Sequence, residues 1–169
     1  ATYVGLIGDS YRVRVAHDAG EAIESLDAEV DVVLLDRRLP DASGDIVLEE
    51  VQDRELDIRV VVISAVTPDF DIVGMGFDDY LLKPVSRDEL HATIETMQAR
   101  TAYHGLVREY LRLTAKHAVL ETHKTDAELD DSAEFAELES RLAEVRAELD
   151  ETASGFSPAD FRALYQQLV

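Results

Sequence analysis

Cysteine and tryptophan are absent from this chain of 169 residues, and basic residues are few. The lack of cysteine excludes disulfide bonds, thiolate catalysis and metal sites with sulfur ligands. The chain holds 16 lysines and arginines against 36 acidic residues, which gives a formal net charge of −20. This charge does not favour binding to DNA or to an anionic membrane. Such acidity is also typical of proteins that remain soluble at high salt.

Long apolar runs are absent as well. No segment approaches the roughly eighteen uninterrupted apolar residues of a membrane-spanning helix, and the first residues lack a charged leader followed by an apolar stretch. We therefore expect a cytoplasmic protein without a membrane partner. Hydrophobic residues still make up 46% of the chain, which is enough for one domain and a smaller appendage.

The strongest structural signal is a short apolar run, Val30 to Asp36, that ends in a carboxylate. Turn-forming residues 37–44 follow it, and such a run is typical of a strand buried on both faces of a parallel sheet. A second run, Arg59 to Ala65, places Ser64 near its end, and a third runs from Asp79 to Lys83. The sequence therefore predicts at least these three buried strands.

Helix signals alternate with the strands. Asp18 is a good N-cap for a short helix, and Ser86 with Glu89 three residues later forms a capping box. Another helix is predicted from about Gly44 to Arg54. Strands and helices that alternate through short loops predict an α/β fold with a mostly parallel, doubly wound sheet.

Three polar residues, Asp36, Ser64 and Lys83, stand at the carboxyl ends of the predicted strands. Because these ends lie at one edge of a parallel sheet, the side chains are expected to converge there. A carboxylate can attack a phosphoryl group and form an acyl phosphate, while a hydroxyl and an ammonium can bind its oxygens. A divalent ion, Mg²⁺ above all, would offset the clustered negative charge.

Beyond about Arg100 the pattern is helical only. Apolar residues at heptad spacing occur over residues 103–120 and again over residues 135–149, which predicts a helical hairpin whose seams bury each other or a second copy. Basic residues also recur every four positions on the first of these helices. They are Arg100, His104, Arg108, Arg112 and Lys116. We interpret this stripe as a solvated face paired with acids rather than as a nucleic-acid site.

The first part of the chain, over about residues 1–99, resembles the receiver domain of two-component response regulators. The resemblance rests on three segments in this order: Asp36 with its loop 37–44, Ser64-Ala65, and residues 76–84. Residues 100–169 resemble the HalX domain, a small helical domain that follows receivers in a haloarchaeal group of regulators. The resemblance implies a flavodoxin-like doubly wound sheet followed by an all-α helical hairpin domain. It also implies a signalling protein rather than an enzyme, with a histidine kinase as its partner.

The resemblance further implies a role for each matching residue. Asp36 would be the phospho-acceptor and a Mg²⁺ ligand, with the main-chain carbonyl of Arg38 as a second ligand. Ser64 would bind a phosphoryl oxygen, and Lys83 would pair with the phosphoryl group, aimed by a cis peptide bond to the proline that follows it. Tyr80 would be the switch residue, an aromatic side chain that swings inward when Ser64 moves.

The start of the chain departs from the receiver pattern. Receivers begin with a strand that ends in an acidic pair, and this pair supplies the remaining metal ligands. We predict a strand at Tyr11 to Ala16, which corresponds to the second strand of the family, and residues 1–8 resemble the end of its first helix. On this interpretation the first strand and most of the first helix are missing, and Mg²⁺ binding is weak or absent. The alternative, a first strand at Thr2 to Ile7 with Asp9 as the surviving acid, leaves too few residues for a parallel crossover of about a dozen.

The favoured function is that of a response regulator that accepts a phosphoryl group on Asp36 and passes the signal to a helical output or dimerisation domain. A homodimer through the receiver face or the heptad helices is left open. The alternative is a degenerate receiver that acts as a phosphorylation-independent protein-protein adaptor. A phosphohydrolase with Asp36 as nucleophile is disfavoured, because the second carboxylate it would need two residues on is replaced by Arg38.

Overall fold

The computed structural model describes the backbone of residues 3–168 and the side chains of residues 3–164. The chain forms two compact units that divide between Gln98 and Ala99. In the described part, no helix is both long and apolar enough to cross a membrane.

The first unit alternates helices and strands. Its helices are α1 (Val4–Ile7), α2 (Ala19–Ser25), α3 (Asp45–Asp53) and the first part of α4 (Arg87–His123), with a 3-10 segment at Phe70–Gly74. Its strands are β1 (Val32–Asp36), β2 (Arg59–Ser64) and β3 (Asp79–Leu82). The second unit holds the rest of α4 together with α5 (Asp126–Asp130), α6 (Ala133–Ser154) and α7 (Pro158–Leu168).

The three strands form a parallel sheet in the order β1-β2-β3. All six residues of β2 are buried, because a strand flanks each of its edges and helices cover both faces of the sheet. This burial explains the unbroken apolar run in the sequence. The α/β class and the parallel sheet predicted from the sequence are confirmed.

A hydrophobic cluster fills each face of the sheet. The cluster on one face includes Ala19 of α2 and three buried residues of α3, Val47, Leu48 and Val51. The cluster on the other face joins Ile7 of α1 to buried residues of β2 and α4. They are Val61, Ile63, Leu90, Ile94 and Met97. The helices are thus held against the sheet by the apolar stripe that each of them carries.

Two of the predicted caps fix where helices begin. The carboxylate of Asp18 accepts a hydrogen bond of 2.8 Å from the amide of Glu21 at the start of α2. Ser86 and Glu89 form the predicted capping box before α4, because the Ser86 hydroxyl accepts from the Glu89 amide and the Glu89 carboxylate accepts from the Ser86 amide. Each cap satisfies an amide that the first turn of a helix leaves without a partner.

The start of the described chain is helical. Because Val4–Ile7 forms α1, the alternative of a first strand at Thr2 to Ile7 is wrong, although Thr2 itself lies outside the described residues. Ile7 is buried in the cluster shared with α4.

The predicted strand at Tyr11 to Ala16 is also wrong, since this segment has no regular secondary structure. Its side chains do alternate between the core and the solvent: Tyr11 and Val13 pack against the core, and Arg14 forms ion pairs with acids on the outside. A strand, however, needs a hydrogen-bonded neighbour, and a groove of about 560 Å³ lies between this segment and β1. In the described sheet β1 is therefore an edge strand.

The second unit contains the predicted antiparallel hairpin. The ring of His117 on α4 stacks on Phe135 at the start of α6 with centroids 5.0 Å apart. Nearer the other end, Arg141 of α6 donates a hydrogen bond of 2.9 Å to the carboxylate of Glu109. As residue numbers fall along α4 they rise along α6, so the two helices run in opposite directions.

A buried ion pair ties α7 to α4. Arg100 Nε donates to Asp160 Oδ1 at 2.9 Å, and the Ser157 amide and hydroxyl donate to the other oxygen of Asp160 at 2.8 and 2.6 Å. Arg100 is only 7% exposed. The prediction that the basic stripe is a solvated face is therefore wrong at Arg100. The helical period in the sequence does not show which face of α4 contacts α7.

We predict that Ile63→Ala destabilises the protein by about 2 to 5 kcal/mol, because Ile63 belongs to the enclosed strand β2 and its truncation opens a cavity in the core. Val73→Ala, on the exposed 3-10 segment, serves as the control and should change the free energy of unfolding by less than about 0.5 kcal/mol. Urea unfolding of both variants measures the two values. Equal effects would contradict the assignment of β2 as the centre of the core.

A second prediction concerns acid stability. Burial acts to raise the pKa of Asp160, but hydrogen bonds from Ser157 and Arg100 outweigh it, and the pKa lies below its ordinary value. The stability that Asp160 contributes is therefore present above the unfolded pKa of about 4 and is lost as the pH falls through the lower folded pKa.

Asp160→Asn should cost about 3 to 5 kcal/mol at neutral pH, because it leaves Arg100 buried without its counter-charge. Urea unfolding between pH 7 and pH 3 should show a smaller loss in the variant than in the parent, and parallel curves would count against this role.

Candidate functional site

The sheet register brings the predicted site residues to one edge. Asp36, the last residue of β1, lies opposite Ile63, and Ser64 is the next residue of β2. Ser64 in turn lies opposite Leu82, and Lys83 follows directly. The amide of Lys83 donates a hydrogen bond of 2.8 Å to the carbonyl of Ser64. Three side chains that are distant in sequence thus stand at the carboxyl ends of neighbouring strands.

A direct ion pair joins Asp36 and Lys83. Lys83 Nζ donates to Asp36 Oδ2 at 2.5 Å, and the Arg38 amide donates to Asp36 Oδ1 at 3.0 Å. The hydrogen bond to Asp36 raises the pKa of Lys83, so its side chain is an ammonium at neutral pH. The Asp36 side chain is 39% exposed and that of Lys83 is 32% exposed. A small phosphodonor can therefore reach the carboxylate from solvent.

Ser64 lies deeper than its two neighbours, at 3% exposure. Its hydroxyl oxygen accepts a hydrogen bond of 3.1 Å from the amide of Val66. Among the described contacts no hydrogen bond joins the Ser64 and Asp36 side chains. Binding of a phosphoryl oxygen by Ser64 therefore stays a prediction.

Tyr80 is connected to Ser64 through one residue. The Tyr80 hydroxyl donates a hydrogen bond of 2.7 Å to the carbonyl of Val66. The amide of Val66 in turn donates a hydrogen bond to the hydroxyl oxygen of Ser64. The Tyr80 ring packs beside Phe77 with centroids 5.7 Å apart. The expected inward swing of Tyr80 stays a prediction, but the link through Val66 offers a route by which Ser64 could influence it.

The loop after Asp36 is held tightly at both ends. The amide of Gly44 donates a hydrogen bond of 2.9 Å to the carbonyl of Arg37. A Cβ atom on Gly44 would lie 2.7 Å from the main-chain oxygen of Asp36, so a glycine is required at this close approach. In the middle of the loop, the Asp41 carboxylate accepts from the amide of Ala19 at the start of α2, and this hydrogen bond keeps the pKa of Asp41 below its ordinary value.

Arg37 contributes a contact that the sequence did not indicate. Its guanidinium forms an ion pair with Asp71 of the 3-10 segment, and this contact, with a smaller contribution from the Tyr80 hydroxyl, raises the pKa of Arg37. The same pairing lowers the pKa of Asp71. Because 34 positions separate the two residues and neither lies in a regular pattern, no sequence signal could have paired them.

The described residues do not by themselves fit a magnesium site. Mg²⁺ prefers six oxygen ligands in octahedral geometry. Within residues 3–164, whose side chains the structure describes, no group of three or more acidic, histidine or cysteine side chains is placed to hold a metal ion. Both oxygens of Asp36 already accept hydrogen bonds, from Lys83 and Arg38. The predicted ligands, Asp36 and the Arg38 carbonyl, therefore remain a prediction.

Comparison with known protein families gives a match for each part of the chain. Residues 4–95 match the response regulator receiver domain, and residues 99–165 match the HalX domain. The two matches follow one another in the same order as the two compact units. Receiver domains as a family bind Mg²⁺ at their phosphorylation site, are soluble signalling proteins rather than classical enzymes, and interact with histidine kinases.

Curated relatives include regulators from archaea and bacteria. A candidate transcriptional regulator of Haloferax volcanii is 46% identical over 143 residues, which cover 85% of this chain and 24% of the relative. The transcriptional regulatory protein DltR of Streptococcus agalactiae is 32% identical over 145 residues, or 83% of this chain and 63% of that protein. The chain thus spans less than two thirds of the length of these relatives.

Solved structures support the fold. The receiver domain of the candidate response regulator NarL from Mycobacterium tuberculosis matches with a TM-score of 0.50 and 31% identity, over 57% of this chain and 85% of that domain. The receiver domain of a candidate LuxO repressor from Vibrio parahaemolyticus has a TM-score of 0.56 at 23% identity, over 63% and 85% of the two chains, and it supports the fold alone. Because the receiver match covers residues 4–95 of 169, the chain belongs to the response regulator receiver family, with a HalX domain after the receiver.

Proposed function

We propose that this protein is a response regulator that accepts a phosphoryl group on Asp36 from a histidine kinase in the cytoplasm. The observation that carries the proposal is the contact of Lys83 Nζ with Asp36 Oδ2 at the carboxyl edge of the sheet. It places an ammonium where a phosphoryl group on Asp36 would carry its charge. Family membership supports the signalling role, and no contact among the described residues favours the adaptor alternative.

In the proposed transfer an Asp36 oxygen attacks the phosphorus of a phosphohistidine. One P–O bond forms while the P–N bond to the donor histidine breaks, and the electron pair of the broken bond stays on the histidine nitrogen, which takes up a proton. Lys83 offsets the negative charge that approaches Asp36, and the cis peptide bond between Lys83 and Pro84 is present as expected. The Ser64 hydroxyl is the proposed donor to a phosphoryl oxygen.

The helical residues 100–169 are the proposed output domain, and residues 1–99 the receiver. Within one chain the heptad seams of α4 and α6 contact each other, for example where His117 stacks on Phe135. A homodimer through the receiver face or the heptad helices remains part of the proposal. The net charge of −20 does not favour DNA as a direct target of the whole chain.

The direct prediction is that acetyl phosphate, with millimolar Mg²⁺, labels the protein on Asp36. Asp36→Ala should abolish the label, because it removes the attacking carboxylate. Asp53→Ala, on the exposed end of α3, is a matched control and should leave the label unchanged. If Asp36→Ala is labelled as fast as the parent, Asp36 is not the phospho-acceptor.

Lys83 should affect the rate of labelling more than the stability of the fold, since its side chain is partly exposed. Lys83→Ala is expected to slow labelling by about 10²-fold, the usual effect of losing one electrostatic group at a reacting centre. Lys124→Ala, in the helical unit, is the control. Labelling rates from intact-mass spectra test this, and an unchanged rate would remove Lys83 from the site.

A further inference from the structure

The residue that follows the proposed phospho-acceptor holds a segment that has few other anchors. Arg37 forms its ion pair with Asp71 in the 3-10 segment Phe70–Gly74. The Asp71 side chain is 52% exposed, whereas that of Arg37 is 20% exposed. Ion pairs with one partner this open to solvent are weak, because water and salt screen them.

The 3-10 segment contributes little else to the core. It contains no buried residue, and two of its apolar side chains, Phe70 and Val73, are 89% and 82% exposed. Its hydrogen-bond geometry is also poorer than that of an α-helix. Met75, just after the segment, packs against the core cluster. Among the described contacts, the ion pair is the side-chain polar contact that joins residues 70–74 to another element.

Arg37 is also connected to the predicted switch residue. The Tyr80 hydroxyl, which donates to the Val66 carbonyl, also contributes to the raised pKa of the Arg37 guanidinium and therefore lies near it. A change at Asp36 can reach Arg37 directly through the adjacent backbone.

We propose that Arg37 is a charge-operated latch: in the unmodified protein it holds the 3-10 segment through Asp71, and a phosphoryl group on Asp36 draws its guanidinium away and releases the segment. This inference rests on the proposed phosphorylation of Asp36.

The Arg37 guanidinium would move from Asp71 to the phosphoryl group because the phosphoryl group is the stronger acceptor of the two. A phosphoryl group adds about −1.5 to −2 charges and three acceptor oxygens, if an aspartyl phosphate resembles other phosphoryl groups. An arginine binds such a group through paired, charge-assisted hydrogen bonds. Asp71 offers a single charge that is half-exposed, so the phosphoryl group is the stronger partner. Release then moves Phe70 and Val73 and changes the apolar surface that a partner protein meets.

Amide hydrogen exchange of the full-length chain tests the latch. The amides of Ile72 and Met75 report on the segment, because each donates to a backbone carbonyl within it or just before it. In the parent protein, treatment with acetyl phosphate should speed their exchange by up to about fivefold, the range expected for loss of one exposed ion pair. Intact-mass and peptide spectra of the same samples establish how much Asp36 is modified.

Two charge-matched variants complete the experiment. Asp71→Asn should exchange fast at Ile72 and Met75 before any treatment and change little afterwards, because the latch is already open. Glu49→Gln, which removes an exposed acid of α3, should behave like the parent.

Each adverse outcome has a distinct meaning. Parent protein that carries the phosphoryl group on Asp36 but shows unchanged exchange overturns the latch and leaves the proposed function standing. Untreated Asp71→Asn that exchanges as slowly as the untreated parent overturns the latch without reference to phosphorylation. Absence of any label on Asp36 overturns the proposed function and the latch together.

Discussion

The complete burial of β2 between β1 and β3 is the constraint on which the site depends. A strand enclosed on both edges and both faces has one register that satisfies its backbone and its side chains, and a shift by one residue would turn its apolar residues toward the wrong cluster. That register sets Ser64 one position beyond the partner of Asp36 and sets Lys83 one position beyond the partner of Ser64. The packing of the six buried residues of β2, four of them apolar, thus determines which polar groups meet at the edge.

Scarce positive charge is used at a few places in this acidic chain. Three of the described ion pairs illustrate two different roles: Lys83 with Asp36 at the sheet edge, Arg37 with Asp71 beside it, and Arg100 with Asp160 in the helical unit. The Arg100 pair is buried and holds α7 in place, whereas the other two pairs are partly exposed. Partial exposure makes a pair weak enough to be exchanged for a stronger anion. The same chemistry therefore serves a structural role in one unit and is available for signalling in the other.

Much of the fold could be predicted because local patterns determine it. The three strands, the Asp18 cap, the Ser86 capping box and the helical hairpin follow from runs, spacings and cap residues that lie close together in the sequence. The prediction that all three strands are buried is wrong for β1 and β3, which lie at the edges of the described sheet and are mostly half-buried. Tyr11 to Ala16 has an equally clear alternation, but a strand also needs the backbone of a neighbour, and no local pattern carries that information. The Arg37 contact with Asp71 was invisible for a similar reason, since tertiary structure alone brings a turn residue and a 3-10 segment together. Arg100 was misread because a helical period gives spacing without showing which face a partner helix covers.

The central claim is that Asp36 forms an acyl phosphate. Borohydride reduces an acyl phosphate of aspartate to homoserine, so reduction of the phosphorylated full-length chain followed by peptide sequencing marks the acceptor directly. The account predicts homoserine at position 36, in an amount that matches the phosphoryl content of the sample. Homoserine at another acidic position, or a phosphoryl group that resists this reduction, would contradict it.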